Sequence, residues 1–176
     1  MRNLKAPIAT MVFSVSLVLT AGTASGADIS GTISSTLTIT EDSQLVGDVT
    51  CTVTAAPCIS FGSSGITLKL HGFSITGRAD SVTGCGGTSV GREVGILVDR
   101  VRGAVIQGPG IVQRFRNHGV QIGTRAGGST RVLVTLVTAS TNCLSGFIVF
   151  GPSSDNELEA NISVRNGNGG APCGGI

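Results

Sequence analysis

The chain has 176 residues, 27 of them Gly, and holds neither Trp nor Tyr. Its 12 Lys and Arg against 10 Asp and Glu exclude a protein whose affinity rests on nucleic-acid phosphates, and the missing Trp and Tyr leave few aromatic platforms for bases or sugar rings. Abundant Gly, Ser, Thr and Val suit an all-β chain of tight corners and pleated strands.

Residues 1–27 carry Arg2 and Lys5, an apolar run from Ile8 to Thr20, and the small residues Ala21 to Ala27. This is the form of a secretory signal peptide, and the run is too short to cross a ~30 Å hydrocarbon core as a helix. Cleavage after Gly26 or Ala27 is expected, giving a secreted or periplasmic product with no membrane attachment. Removing Arg2 and Lys5 leaves the rest of the chain near charge balance.

Residues 28–57 read as extended, capping strands. Ile33, Leu37 and Ile39 alternate with Ser and Thr, Glu41-Asp42-Ser43 forms a polar turn, and Leu45 to Cys51 resumes the strand pattern. Such segments cover the open end of a sheet whose unpaired backbone would otherwise invite association.

From residue 58 to 176 one unit recurs. Glycine opens an alternating run at Gly95-Ile96-Leu97-Val98, Gly119-Val120-Gln121-Ile122, Gly146-Phe147-Ile148-Val149 and Gly175-Ile176, in steps of 24, 27 and 29 residues. A period of this size without a helical pattern describes one coil of a β-solenoid, which buries its apolar side chains only against the coils above and below. The first coil uses Ile59 and Phe61, the corner Gly62 to Gly65, Ile66 to Leu70, the bend His71-Gly72, and Phe73 to Thr76. Arg78 to Val94 forms a longer Gly- and Ser-rich insertion, expected to leave the stack on one face. Later coils place Val105-Ile106, Arg131 to Val137, and Leu158, Ala160, Ile162 and Val164 on their second and third strands. Asn117, Asn142 and Asn166 recur at the closing turns, where each is expected to bond its copy in the next coil. Gly174-Gly175-Ile176 starts a coil that does not continue, which reads as a truncated product or as an uncapped end open to end-to-end self-association.

Five cysteines in an exported chain point to disulfides. Cys143 and Cys173 both precede a glycine opening, one coil apart, and coils ~4.8 Å apart allow a bridge between them. Cys51 with Cys58 is the favoured second pair. Cys58 with Cys85, at corners one coil apart, is the alternative.

Candidate binding residues are basic. Arg100 and Arg102 alternate on one coil, Arg114 and Arg116 follow later on it, and Arg125 and Arg131 flank a corner of the next. Guanidinium groups projecting to one side can grip an acidic polysaccharide bidentately. His71 and His118 stand at bends without a Cys or carboxylate at ligand spacing, so no metal or cofactor is expected. Glu157 and Glu159 share a strand face beside Asp155 as solvated charges.

The segment Gly65 to Gly77, GITLKLHGFSITG, followed by coils with Asn at their turns, resembles the right-handed parallel β-helix proteins of the pectate-lyase-like superfamily. Within that group it is most similar to exported repeat proteins of unassigned activity. The resemblance implies an all-β, right-handed, single-stranded parallel β-helix of about four to five coils. Asn117-His118-Gly119 is similar to part of the Gly-His-Gly element of polygalacturonases, though without their Asp-Asp pair. Gly146 to Gly151 is similar to a strand of pectin methylesterases, though without its aspartate. No catalytic residue is therefore assigned. The expected function is a non-catalytic exported module that contacts acidic polysaccharide or cell-surface glycan. A fragment of a polysaccharide lyase or glycoside hydrolase, or a structural spacer, are the alternatives.

Overall fold

The computed structural model describes residues 26–79, 85 and 92–167. These form thirteen β-strands, with no α-helix among the described residues. All strand pairings are parallel, and the strands build two sheets. One sheet holds β2 (Leu37–Ile39), β4 (Ile59–Phe61), β7 (Ile96–Val98), β9 (Val120–Ile122) and β11 (Phe147–Val149). The other holds β1 (Ala27–Ile33), β3 (Ser43–Cys51), β5 (Thr67–Lys69), β6 (Ser74–Thr76), β8 (Val105–Gln113), β10 (Leu133–Ser140), β12 (Glu157–Glu159) and β13 (Ile162–Val164). In chain order the path alternates between the sheets, and each return adds a strand beside the previous one. This arrangement is compatible with a β-helix or solenoid-like fold.

The glycine openings fall into register. Leu37 pairs with Ile59, Ile59 with Ile96, Ile96 with Val120, and Val120 with Phe147, which makes one column across five strands. Facing it from the other sheet are the columns Leu68, Ile106, Val134 and Ile75, Val112, Ala139, every member fully buried. Alternation explains the pattern. In β4, β7 and β9 of the smaller sheet the central residue points outward and its two neighbours point into the core, whereas in β5 and β6 the central Leu68 and Ile75 point inward.

The opening glycines are required by the close approach of the next coil. A Cβ on Gly119 would lie 2.7 Å from the Gly146 carbonyl oxygen and 2.8 Å from the Asn142 side-chain amide. A Cβ on Gly146 would lie 2.7 Å from the amide of Asn166.

The asparagine register differs from the sequence expectation. Asn142 and Asn166 do stack: Asn166 Oδ1 accepts from the Asn142 main-chain N–H at 2.9 Å and from its Nδ2 at 3.0 Å. Asn117 stands two residues out of that column, and the position below Asn142 is Phe115, whose N–H donates to Asn142 Oδ1 at 3.0 Å. The cause is unequal coil length. Val120 pairs with Phe147, 27 residues on, whereas Asn117 and Asn142 are 25 apart.

The ladder that does form uses Asn156, Asn161 and Asn166, five residues apart at successive bends of the last described coil. Their Oδ1 atoms accept from the main-chain N–H of Val132, Val137 and Asn142, each at 2.9 Å. Their Nδ2 groups donate to the carbonyls of Ser129, Val134 and Ala139 at 3.1, 2.7 and 3.0 Å. Each follows a residue in the left-handed region: Asp155, Ala160 and Arg165, with φ of 56°, 52° and 55°. Main-chain groups left open at each bend are thereby satisfied from the neighbouring coil.

Cys51 and Cys58 are bonded, with Cα atoms 6.0 Å apart. Cys143 bonds Cys85, Cα atoms 5.3 Å apart, which corrects the expected pairing with Cys173. That residue lies outside the described residues. The sequence period relates Cys143 to Cys173, but Cys85 belongs to the insertion, and the periodicity does not specify where the insertion passes.

Candidate functional site

The outer surface of the smaller sheet forms a groove of about 650 Å³. Its floor is the outward residues Leu97 and Gln121 at the centres of β7 and β9. One wall is built from the residues just before the glycine openings: Arg92, Val94, Asn117, His118 and Leu144, with Pro57. The other wall is the corner Thr124-Arg125-Ala126 with Phe150. The parallel register sets one wall opposite the other, because every coil enters and leaves the sheet at the same place.

Arg92 and Arg125 are exposed, one on each wall, and neither has a side-chain hydrogen bond or ion pair among the described residues. They put two cations beside a floor of Leu97 and Gln121. His118 is 4% exposed. Its Nδ1 accepts the Ser145 N–H at 3.2 Å, which leaves the ring proton on Nε2, and the ring meets Phe150 edge-on at 5.8 Å. Burial lowers its pKa to about 4, so the ring is neutral at ordinary pH. Asn117 is likewise 4% exposed. Its Oδ1 is the only buried side-chain N or O atom without a hydrogen-bond partner among the described residues.

Below the Arg92 wall lies an ionic cluster that anchors the ends of the insertion. Arg78 Nη2 reaches Glu93 Oε1 at 2.8 Å, Arg78 Nε reaches Oε2 at 3.2 Å, and the Ala55 N–H donates to Oε1 at 3.2 Å. Arg116 stands 3.7 Å from the same carboxylate. Burial by itself would raise the Glu93 pKa; the bonds from Arg78 and Ala55 and the charges of Arg78 and Arg116 outweigh it and hold the carboxyl below its usual range.

The four arginines singled out in the sequence occupy corners, in two pairs. Arg100, with φ of 58°, and Arg102 lie before β8. Arg114, with φ of 59°, and Arg116 lie after it. The nine residues of β8 separate the pairs. Arg100 is 3.9 Å from Asp99, Arg114 Nε donates to the Ala79 carbonyl at 2.9 Å, and Arg116 faces Glu93. None of the four lines the groove. His71 is exposed at the bend between β5 and β6, on the other sheet from His118. Glu157 and Glu159 are exposed on β12.

A signal for the groove was present in the sequence. Arg92-Glu93-Val94-Gly95 and Arg116-Asn117-His118-Gly119 match when aligned on their glycines, and that alignment predicts the stacked wall. It was hidden because these residues precede the strands, where alternation gives no direction.

The fold and site thus define an all-β protein of two parallel sheets, carrying a cationic groove on the outer face of one of them. No family model, curated protein or solved structure matches the chain.

Proposed function

We propose that the chain is an exported, right-handed parallel β-helix that serves as a non-catalytic module binding an acidic polysaccharide in the groove over the smaller sheet. Right-handedness is the expectation for parallel strands joined by crossovers. Two disulfides suit an oxidising compartment, in keeping with the signal-like N-terminal segment.

The observation that carries the binding reading is the pair of unpartnered guanidinium groups, Arg92 and Arg125, on opposite walls above the floor of Leu97 and Gln121. Guanidinium takes carboxylate or another oxyanion bidentately, and Leu97, Leu144 and Phe150 offer C–H faces for a sugar ring. Among the described residues, none that lines the groove is a carboxylate. Hydrolysis of glycosidic bonds generally uses a pair of acids, so the groove composition favours retention over cleavage.

The test is binding to immobilised acidic glycans, comparing the protein with Arg92→Ala/Arg125→Ala and with Arg100→Ala/Arg102→Ala. Loss of binding only in the first variant supports the groove. Equal retention of all three proteins removes it.

A further inference from the structure

We infer that Gln121 makes the groove selective among polyanions: the ligand it favours carries free hydroxyl groups as well as negative charge. This rests on the groove reading above and deepens it.

Three of the described residues that line the groove carry a side-chain oxygen: Asn117, Gln121 and Thr124. Asn117 Oδ1 is enclosed by the fold. The Thr124 hydroxyl is occupied at its corner, where it donates to Asp99 Oδ1 at 3.2 Å and accepts the Gly127 N–H at 3.0 Å. Gln121 Oε1 accepts no hydrogen bond within the chain, yet it is not enclosed, because Asn117 Oδ1 is the only enclosed atom without a partner among the described residues. It is therefore the open side-chain acceptor of the groove, at the outward-facing centre of β9.

The orientation of that amide is fixed. Gln121 Nε2 donates to the Gly123 carbonyl at 2.8 Å, and a flipped amide would set Oε1 against that oxygen, acceptor against acceptor. Gly123 is itself tied down, its N–H donating to the Val98 carbonyl of the neighbouring strand at 2.7 Å. The acceptor is thus in place before a ligand arrives, which spares the cost of ordering a free side chain.

The groups around it donate. Arg92 and Arg125 call for anionic acceptors. His118 bonds through Nδ1 to the Ser145 N–H, and its Nε2–H has no acceptor in the chain and is likewise not enclosed. A carboxylate, sulfate or phosphate satisfies these donors but sets an acceptor against Gln121 Oε1. A hydroxyl can serve Gln121 by donating and His118 by accepting. A uronate polymer offers both kinds of group, whereas inorganic polyphosphate at neutral pH offers charge and acceptors without a comparable donor.

The experiment measures binding of oligoglucuronate and of inorganic polyphosphate matched in total charge. The unsubstituted protein should prefer oligoglucuronate by about tenfold, the scale of one hydrogen bond to a preorganised acceptor. In Gln121→Leu that preference should vanish while polyphosphate affinity stays constant. Leucine suits the position because Leu97 and Ile148 are its partners on either side in the same outward column. Gln121→Met, closer in length to the parent side chain, gives the same readout should the leucine variant not fold. A preference that survives in the folded variant, a loss of both polymers in it, or no preference in the unsubstituted protein overturns the inference. Arg92→Ala/Arg125→Ala separates the two levels: if it binds both polymers unchanged, the groove reading itself fails. Binding of neither polymer by the unsubstituted protein removes both readings.

Discussion

At the scale of single residues, His118 and Glu93 are buried groups whose ionisation is set by different means, and they give opposite uses of charge. His118 is neutral in the fold because burial lowers its pKa from 6.5 to about 4. Between those values the unfolded chain binds a proton that the folded chain does not, so unfolding free energy rises with pH there. Its contribution is complete above about 6.5 and declines as pH falls, by roughly 1.4 kcal/mol per unit and about 3 kcal/mol in all. Urea unfolding at a series of pH values should show that slope, and His118→Gln should flatten it. Identical slopes in the two proteins would mean that other groups carry the acid dependence. Glu93, in contrast, is kept charged by Arg78 and Arg116. Glu93→Gln leaves two guanidinium groups facing a neutral amide and should cost about 2 kcal/mol. That is less than for a fully desolvated pair, because the Arg78 side chain is 39% exposed. Since the Glu93 pKa is depressed, its contribution holds above the unfolded carboxylate pKa and is lost as pH falls through the folded one. The variant should therefore lose less stability than the parent on acidification below about 4.

At the scale of elements, the bends hold the coils together as much as the strands do. Asn161→Ala removes both the acceptor for the Val137 N–H and the donor to the Val134 carbonyl. A cost of about 1–2 kcal/mol is expected, with faster hydrogen exchange at the Val137 amide than in the parent. Unchanged exchange there would show that the side chain is dispensable. The strands themselves were legible because a core-facing strand must alternate. Gly95, Gly119 and Gly146 announced each one, since a Cβ at those places collides with the next coil. Bends were less legible because alternation says nothing about them. Asn117, Asn142 and Asn166 are nearly evenly spaced in sequence, yet only the last two share a column, because one coil is longer than that spacing. Cys143 failed in the same way. Its register predicted Cys173, but the chain brings Cys85 to it through an insertion without a period. The groove was the least legible part, since Arg92, Arg125 and Asn117 come from corners and strand approaches on different coils and meet only when the stack is assembled.

At the scale of the molecule, the strands of each sheet pair chiefly with the strand one return of the chain earlier and the one a return later, so in the solenoid-like arrangement proposed above stability accumulates along the sheets. The covalent ties follow the same logic. Cys51–Cys58 closes a short loop of sequence separation 7, whereas Cys85–Cys143 spans 58 residues, with the strands β7 to β10 between its ends. The column from Leu37 to Phe147 gives the sharper test. Ile96 is fully buried in the middle of it, with Ile59 on one side and Val120 on the other. Leu37, on the edge strand β2, is only partly buried and has a single neighbour in the column, Ile59. Truncating Ile96 to Ala removes contacts to two coils and opens a cavity that close-packed neighbours cannot fill, at a cost of about 3–4 kcal/mol. Leu37→Ala loses contact with one coil beside a surface that can relax, and should cost about 1–2 kcal/mol. Urea midpoints at equal slope measure the difference. A position-dependent cost is what a stack held by neighbouring coils requires; equal costs would place the source of stability elsewhere, because a chain not wound coil upon coil has no reason to value Ile96 above Leu37 by burial in the column.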